Sequence, residues 1–218
     1  MAKHLLRDLE NLKKELLLVG SMAEEATHKA VLALKDRRSD LAQEVIRGDR
    51  DIDDKEVQVD EECLKLLALH QPVAADLRFV VAAMKVNNDL ERVGDLADNL
   101  AGRAAYLAEH EPVTVPPEIE QMAGEVRTML RESLNSFVHG NTELARKVVR
   151  DDEAVDQQHK ELYTLIGERM RAEPDKIELL MQLLSVSRYL ERIADLATNI
   201  AEDVVFMVDG DVVRHRSW

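Results

Sequence analysis

Leu90–Ala101 reads LERVGDLADNLA, and Leu190–Ala201 reads LERIADLATNIA. Eight of the twelve positions are identical, and two of the other four are Val/Ile and Leu/Ile exchanges. A segment that returns one hundred residues later makes this chain two copies of one unit. The repeat extends upstream. Val45–Asp53 (VIRGDRDID) answers Val148–Asp156 (VVRDDEAVD) at an offset of 103, and Met22, Ala23 and Glu25 answer Met122, Ala123 and Glu125 at an offset of 100. Unequal loops between duplicated units produce such a change of offset. Two copies predict two similar subdomains and not an open-ended solenoid.

Composition agrees. Eight Gly, five Pro and 3% aromatic residues in 218, with abundant Ala, Leu, Glu and Lys, predict an all-α protein. A formal charge of −14 argues against nucleic-acid backbones or anionic membranes as partners and favours cations or basic proteins. Cys63 is the only cysteine, so it forms no intrachain disulfide, and a core-packing role in a reducing cytoplasm is expected. His4, Arg7, Asp8 and Glu10 interrupt the first leucines, which gives no signal pattern. No apolar run approaches the roughly 20 residues that span a bilayer. The expectation is a soluble, cytoplasmic protein without membrane insertion.

Periodicity predicts six long helices. The first, about 3–37, carries Leu5, Leu9, Leu12, Leu16, Val19, Ala23, Ala26, Ala30 and Leu34 at the alternating spacing of a bundle stripe. The second runs from an N-cap at Ser39 or Asp40 to His70. The third has Pro72 in its first turn and ends near Glu109. His110–Pro117 (HEPVTVPP) holds three prolines and reads as a linker. Helices four (Pro117–His139), five (142–172) and six (Pro174 to about Val208) follow. Short loops between long helices make each half an up-down-up three-helix bundle. The expected division is residues 1–110, a linker at 111–117, and residues 118–218.

On helix two, Asp49, Asp53, Glu56 and Asp60 fall within about 60° at about 100° per residue. Apolar residues bracket them: Val45, Ile52 and Val59 on one side, Ile46, Val57 and Leu64 on the other. On helix five Asp152, Asp156, His159 and Tyr163 take the equivalent places, with Tyr163 read as packing. Helix three carries Leu77, Val81, Met84, Asn88, Glu91, Asp95 and Asn99 on one stripe. Helix six repeats it as Ile177, Met181, Leu184, Arg188, Glu191, Asp195 and Asn199. Each stripe begins apolar and turns acidic, so the carboxylates are expected to continue a packing seam. Like charges at i,i+4 weaken a helix by a few tenths of a kcal/mol, and their presence in both copies points to a compensating cation. Asp49/Asp53 and Glu91/Asp95 lie equally far from the intervening turn, as do Asp152/Asp156 and Glu191/Asp195. An antiparallel hairpin therefore brings each foursome to one height, roughly 30 Å from its turn. Four carboxylates make a hard, oxygen-rich cation site. His159, three residues beyond Asp156, would add nitrogen and shift preference toward zinc or iron. The competing reading is a solvated face whose charges Arg92 and Arg192 neutralise.

The duplicated DxxxD…LERxxDLAxN pattern, with the closing segment ATNIAEDVVFMVDGDVVRH (Ala197–His215), resembles the PhoU family over essentially the whole chain. The resemblance implies two three-helix bundles, often associated as homodimers, and E(D)xxxD motifs that bind multinuclear metal clusters, with iron or zinc favoured. Those motifs map to Asp49/Asp53, Glu91/Asp95, Asp152/Asp156 and Glu191/Asp195, with Asn99, His159 and Asn199 as candidate further ligands. One departure is Asp98, where the second copy has Thr198. The implied function is restraint of phosphate import and of the phosphate-starvation response, through contact with the importer's ATPase subunit and a membrane sensor histidine kinase. The implied protein is an adaptor and not an enzyme. No Walker-type Gly-rich loop or nucleophile elbow is present in the sequence. Two alternatives remain: a ferritin-like di-metal carboxylate protein, for which only Glu25/His28 supplies a Glu-x-x-His pair, and a purely structural helical dimer.

Overall fold

The structure is a computed structural model and describes residues 2–210; the last part of the closing segment, 211–215, lies outside the described residues. Six α-helices follow one another: α1 (Ala2–Lys35), α2 (Ser39–His70), α3 (Ala74–Glu109), α4 (Pro117–His139), α5 (Thr142–Ala172) and α6 (Ile177–Asp209). The all-α expectation holds. The predicted stripe of α1 is the buried one: Leu9, Leu12, Leu16, Val19, Ala23, Ala30 and Leu34 all lie in the core. Gly140, at φ 62°, ends α4 in the left-handed conformation that glycine adopts without strain. The Asn141 side chain then accepts the Leu144 N–H at 3.0 Å and caps α5.

Several helix ends differ from the sequence reading. Pro72 is not in α3. Gln71 takes a left-handed turn at φ 45°, Val73 is extended, and the helix begins at Ala74. Pro117 does open α4, whereas Pro174 opens a 3₁₀ turn (Pro174–Lys176) that precedes α6. Ser39 does not cap α2: the backbone turns at Arg38 and no side chain caps the first turn. The proline-rich segment after α3 is held down at several points. Val113 and Pro116 are buried, Arg37 donates to the carbonyls of Ala108 and His110, and Arg169 donates to the carbonyl of Thr114 at 2.7 Å.

Helices α2, α3, α6 and α5 pack side by side in that order, while α1 and α4 pack on each other and cover one side of the row. The buried side chains form one core running through both repeats. Across the central contact α3 and α6 are antiparallel. Arg78 Nε donates to the Met207 carbonyl at 3.0 Å, Lys85 Nζ pairs with Asp203 at 3.1 Å, and Arg103 donates to the Gln182 side chain at 3.1 Å. This pairing runs the start of one helix against the end of the other and sets Asp95 near Asp195 at the middle of the row. Cys63 is buried in the core as expected, and burial pushes its thiol up to about 12, which keeps it protonated. No described helix is long and apolar enough to cross a membrane.

Candidate metal centre

In the first repeat α2 and α3 close tightly because Gly94 faces Ile52 and Asp49. A Cβ on Gly94 would lie 3.1 Å from Ile52 Cδ1 and 3.3 Å from Asp49 Oδ1. Asp49 is thereby half-buried, and its Oδ1 is shut from solvent with no hydrogen-bond partner. A buried carboxylate oxygen without a donor is costly unless a proton or a cation meets it. Burial, then the neighbouring Asp53, Asp98 and Asp95, push Asp49 up to about 6. Glu91 is raised by burial and by Asp95, Asp53, Glu56 and Asp49. Asp98 is raised by burial and Asp95, and Glu56 by burial, Asp60 and Asp53. The two DxxxD-type motifs of the hairpin thus feel one another, as equal height predicted. Asp98 and Glu56 enlarge the group beyond the four carboxylates expected.

The second repeat repeats the pattern. Burial, then Asp195 and Asp156, push Asp152 up to about 6, while the Thr198 hydroxyl acts against them. Asp195 is raised by burial, Glu191 and Asp156, against the lowering effect of Arg192. The Asp156 carboxylate also lies 4.0 Å from Lys160 Nζ. His159 packs at the α5–α6 contact with Nδ1 2.9 Å from Ser187 Oγ. The Ser187 hydroxyl donates to the Leu184 carbonyl at 3.2 Å, so the serine accepts from His159 Nδ1–H. That leaves Nε2 of the neutral ring as the nitrogen with a lone pair, the tautomer a metal ligand needs. Tyr163 is 61% exposed, so its expected packing role is not realised.

The two carboxylate groups open onto one groove of about 400 Å³ between α3 and α6, lined by Arg92, Asp95, Asn99 and their counterparts Arg192, Asp195 and Asn199. Arg92 pairs with Asp89 at 3.3 Å, and the Asn99 amide donates to the Asp95 carbonyl at 2.7 Å. Among the described residues no three His, Cys, Asp or Glu side chains are drawn in closely enough to enclose an ion. The donor set, however, is all hard oxygen with one imidazole, it is short of protein cations, and it contains an orphaned buried oxygen at Asp49. These residues fit a divalent or multinuclear cation, with the exposed Asp53 and Asp95 as the side chains free to close on it. The Glu25/His28 pair offers no such set: Glu25 is exposed and its nearest cation is Lys29, at 3.7 Å.

A family model described as PhoU domain matches the chain twice, over residues 16–104 and 119–204. The chain is 38% identical over 212 residues to the phosphate-specific transport system accessory protein PhoU homolog of Aquifex aeolicus, covering 97% of this chain and 96% of that protein. The crystal structure of PhoU from Pseudomonas aeruginosa superposes with a TM-score of 0.90 at 36% identity, covering 94% of this chain and 99% of that one. The phosphate transport system regulatory protein PhoU from Streptococcus pneumoniae superposes at 0.87 with 30% identity, over 96% and 99% of the two chains. Two matches to one domain, near-complete coverage and the shared six-helix fold lead to one conclusion: the chain belongs to the PhoU family.

Proposed function

We propose that this chain is a non-catalytic regulator of phosphate uptake and phosphate-starvation signalling. In this reading it is a cytoplasmic, homodimeric, metal-binding adaptor between the phosphate importer's ATPase subunit and a sensor histidine kinase. The relatives' names, phosphate-specific transport system accessory protein, support the link to transport. The observation that carries the metal reading is the pair of half-buried carboxylate groups opening onto a common groove, each with an aspartate pushed up to about 6. Asp49, Asp53, Glu91 and Asp95 would hold the cation of the first repeat. Asp152, Asp156, Glu191 and Asp195, with His159 Nε2, would hold that of the second. Bound cations would neutralise like charges that now repel across each helix pair and so stiffen the α2–α3 and α5–α6 contacts. Asn99 and Asn199, on the groove wall, would reach the ions only from the side facing the other repeat.

Metal analysis of protein purified without chelator tests the sites. Glu91→Ala with Asp95→Ala should lower metal content by about half and leave the second site filled, and Glu191→Ala with Asp195→Ala should do the converse. Loss of all metal from either double variant would show one shared cluster, and no metal in the parent chain would end the metal reading. The regulatory reading has its own test. A deletion strain should leave phosphate-starvation genes on in high phosphate, and normal repression there would refute it.

A further inference from the structure

The apolar parts of the α3 and α6 stripes are not packed. Leu77 and Val81 are 40% and 37% exposed, and Ile177 and Met181 are 40% and 54% exposed. The seam expected from the sequence is therefore real in composition but lies on the open side of the helix row, opposite α1 and α4. Because α3 and α6 are antiparallel, the two apolar ends sit at opposite extremes and the carboxylates meet between them at the Asp95/Asp195 groove. Val81 precedes Asp95 by 14 residues, and Met181 precedes Asp195 by the same number, so each apolar end stands about 20 Å from the acidic middle.

We propose that this face is a docking surface for a partner protein segment with apolar anchors about 40 Å apart and a lysine- or arginine-rich stretch between them. The inference rests on the adaptor reading and adds the partner's chemistry. Charge complementarity selects the occupant. A second copy docked face to face would set carboxylates against carboxylates, and an anionic bilayer would meet the same repulsion in a chain of net charge −14. One divalent cation in each cluster leaves the middle acidic, since each cluster brings at least four carboxylates. A helix of about 27 residues spans the distance. The apolar ends supply desolvated anchors, while the carboxylates set orientation and exclude acidic competitors.

The test places a photo-crosslinking residue at Val81 or at Met181 of the full-length chain in cells, with Leu18, 48% exposed on α1, as the position on the covered side. Both front positions should capture the same protein, through peptides in which Lys or Arg neighbours apolar residues, and Leu18 should not capture it. Val81→Asp with Met181→Asp should lower co-purification of that protein at least about tenfold, with helicity and Tm unchanged because both positions face solvent. Adducts to a second copy, to acidic segments, or equally from Leu18 would overturn the proposal, as would co-purification undiminished in the double variant. Each of those results leaves the deletion phenotype and the metal content to be judged separately.

Discussion

The two repeats close the same helix pair with the bulk on different sides. In the first, Ile52 on α2 meets Gly94 on α3, and in the second the equivalent positions are Val155 on α5 and Ala194 on α6. One methyl has moved across the contact, which conserves volume where a packed core tolerates little change. One turn further along, the repeats diverge in chemistry. Asn87 donates to the Glu56 carbonyl at 2.8 Å and to the Asp60 carboxylate at 3.1 Å, whereas the corresponding Ser187 and His159 bond to each other and Tyr163 replaces Asp60. Duplicated packing is thus held by compensating exchanges, while the residues beside the carboxylates are free to change what each site binds. The first repeat offers oxygen alone; the second adds a nitrogen.

The contrast between equivalent positions is largest where α1 crosses α4. Gly20 is buried there, and a Cβ on it would overlap the Leu134 side chain. Its counterpart one hundred residues on is Glu120, exposed and paired with Lys35 at 2.7 Å. Gly20→Val should therefore lower unfolding free energy by about 1–3 kcal/mol through overpacking. Glu120→Val should change it by no more than about 0.5 kcal/mol. Urea denaturation of both variants checks this, and equal losses would show that the α1–α4 approach is looser at Gly20 than drawn.

A smaller effect separates the sites by pH. Asp49 and Asp152 titrate near 6 in the folded chain against 3.8 for an ordinary aspartate. The native state therefore binds more protons than the unfolded one between those values, so the metal-free protein should lose stability as pH rises from about 4 to about 6. Asp49→Asn and Asp152→Asn should each remove part of that slope, and saturating cation should abolish it by taking the proton's place. Thermal melts at half-unit intervals read the result; a metal-free Tm that climbs across this window would contradict the burial of both carboxylates.

The smallest effect tests the methyl exchange itself. Installing the second repeat's solution in the first, Ile52→Val with Gly94→Ala, should be more stable than the sum of the single changes predicts, by about 0.5–1 kcal/mol. The valine relieves the 3.1 Å approach to Ile52 Cδ1, and alanine gains helix propensity over glycine. A double-mutant cycle with no coupling would mean that the two positions adapt independently.

Helix number, the duplication and the alignment of Asp49/Asp53 with Glu91/Asp95 were all readable from residue order, because 3.6-residue periodicity and equal distances from a turn are local properties. The same locality explains the misreadings. Leu77, Val81, Ile177 and Met181 look like core by pattern, yet whether an apolar stripe meets a neighbour or water depends on which side of the helix row α1 and α4 cover. Pro72 falls outside α3 because the path of the α2–α3 turn, through left-handed Gln71, is set by how the two helices pack. Asp98 joins Asp49, and Asp95 shares a groove with Asp195, only because α2, α3 and α6 converge. Local chain chemistry specifies helices and the faces they carry; the antiparallel docking of α3 on α6, a contact between residues a hundred positions apart, decides which faces meet each other and which stay open.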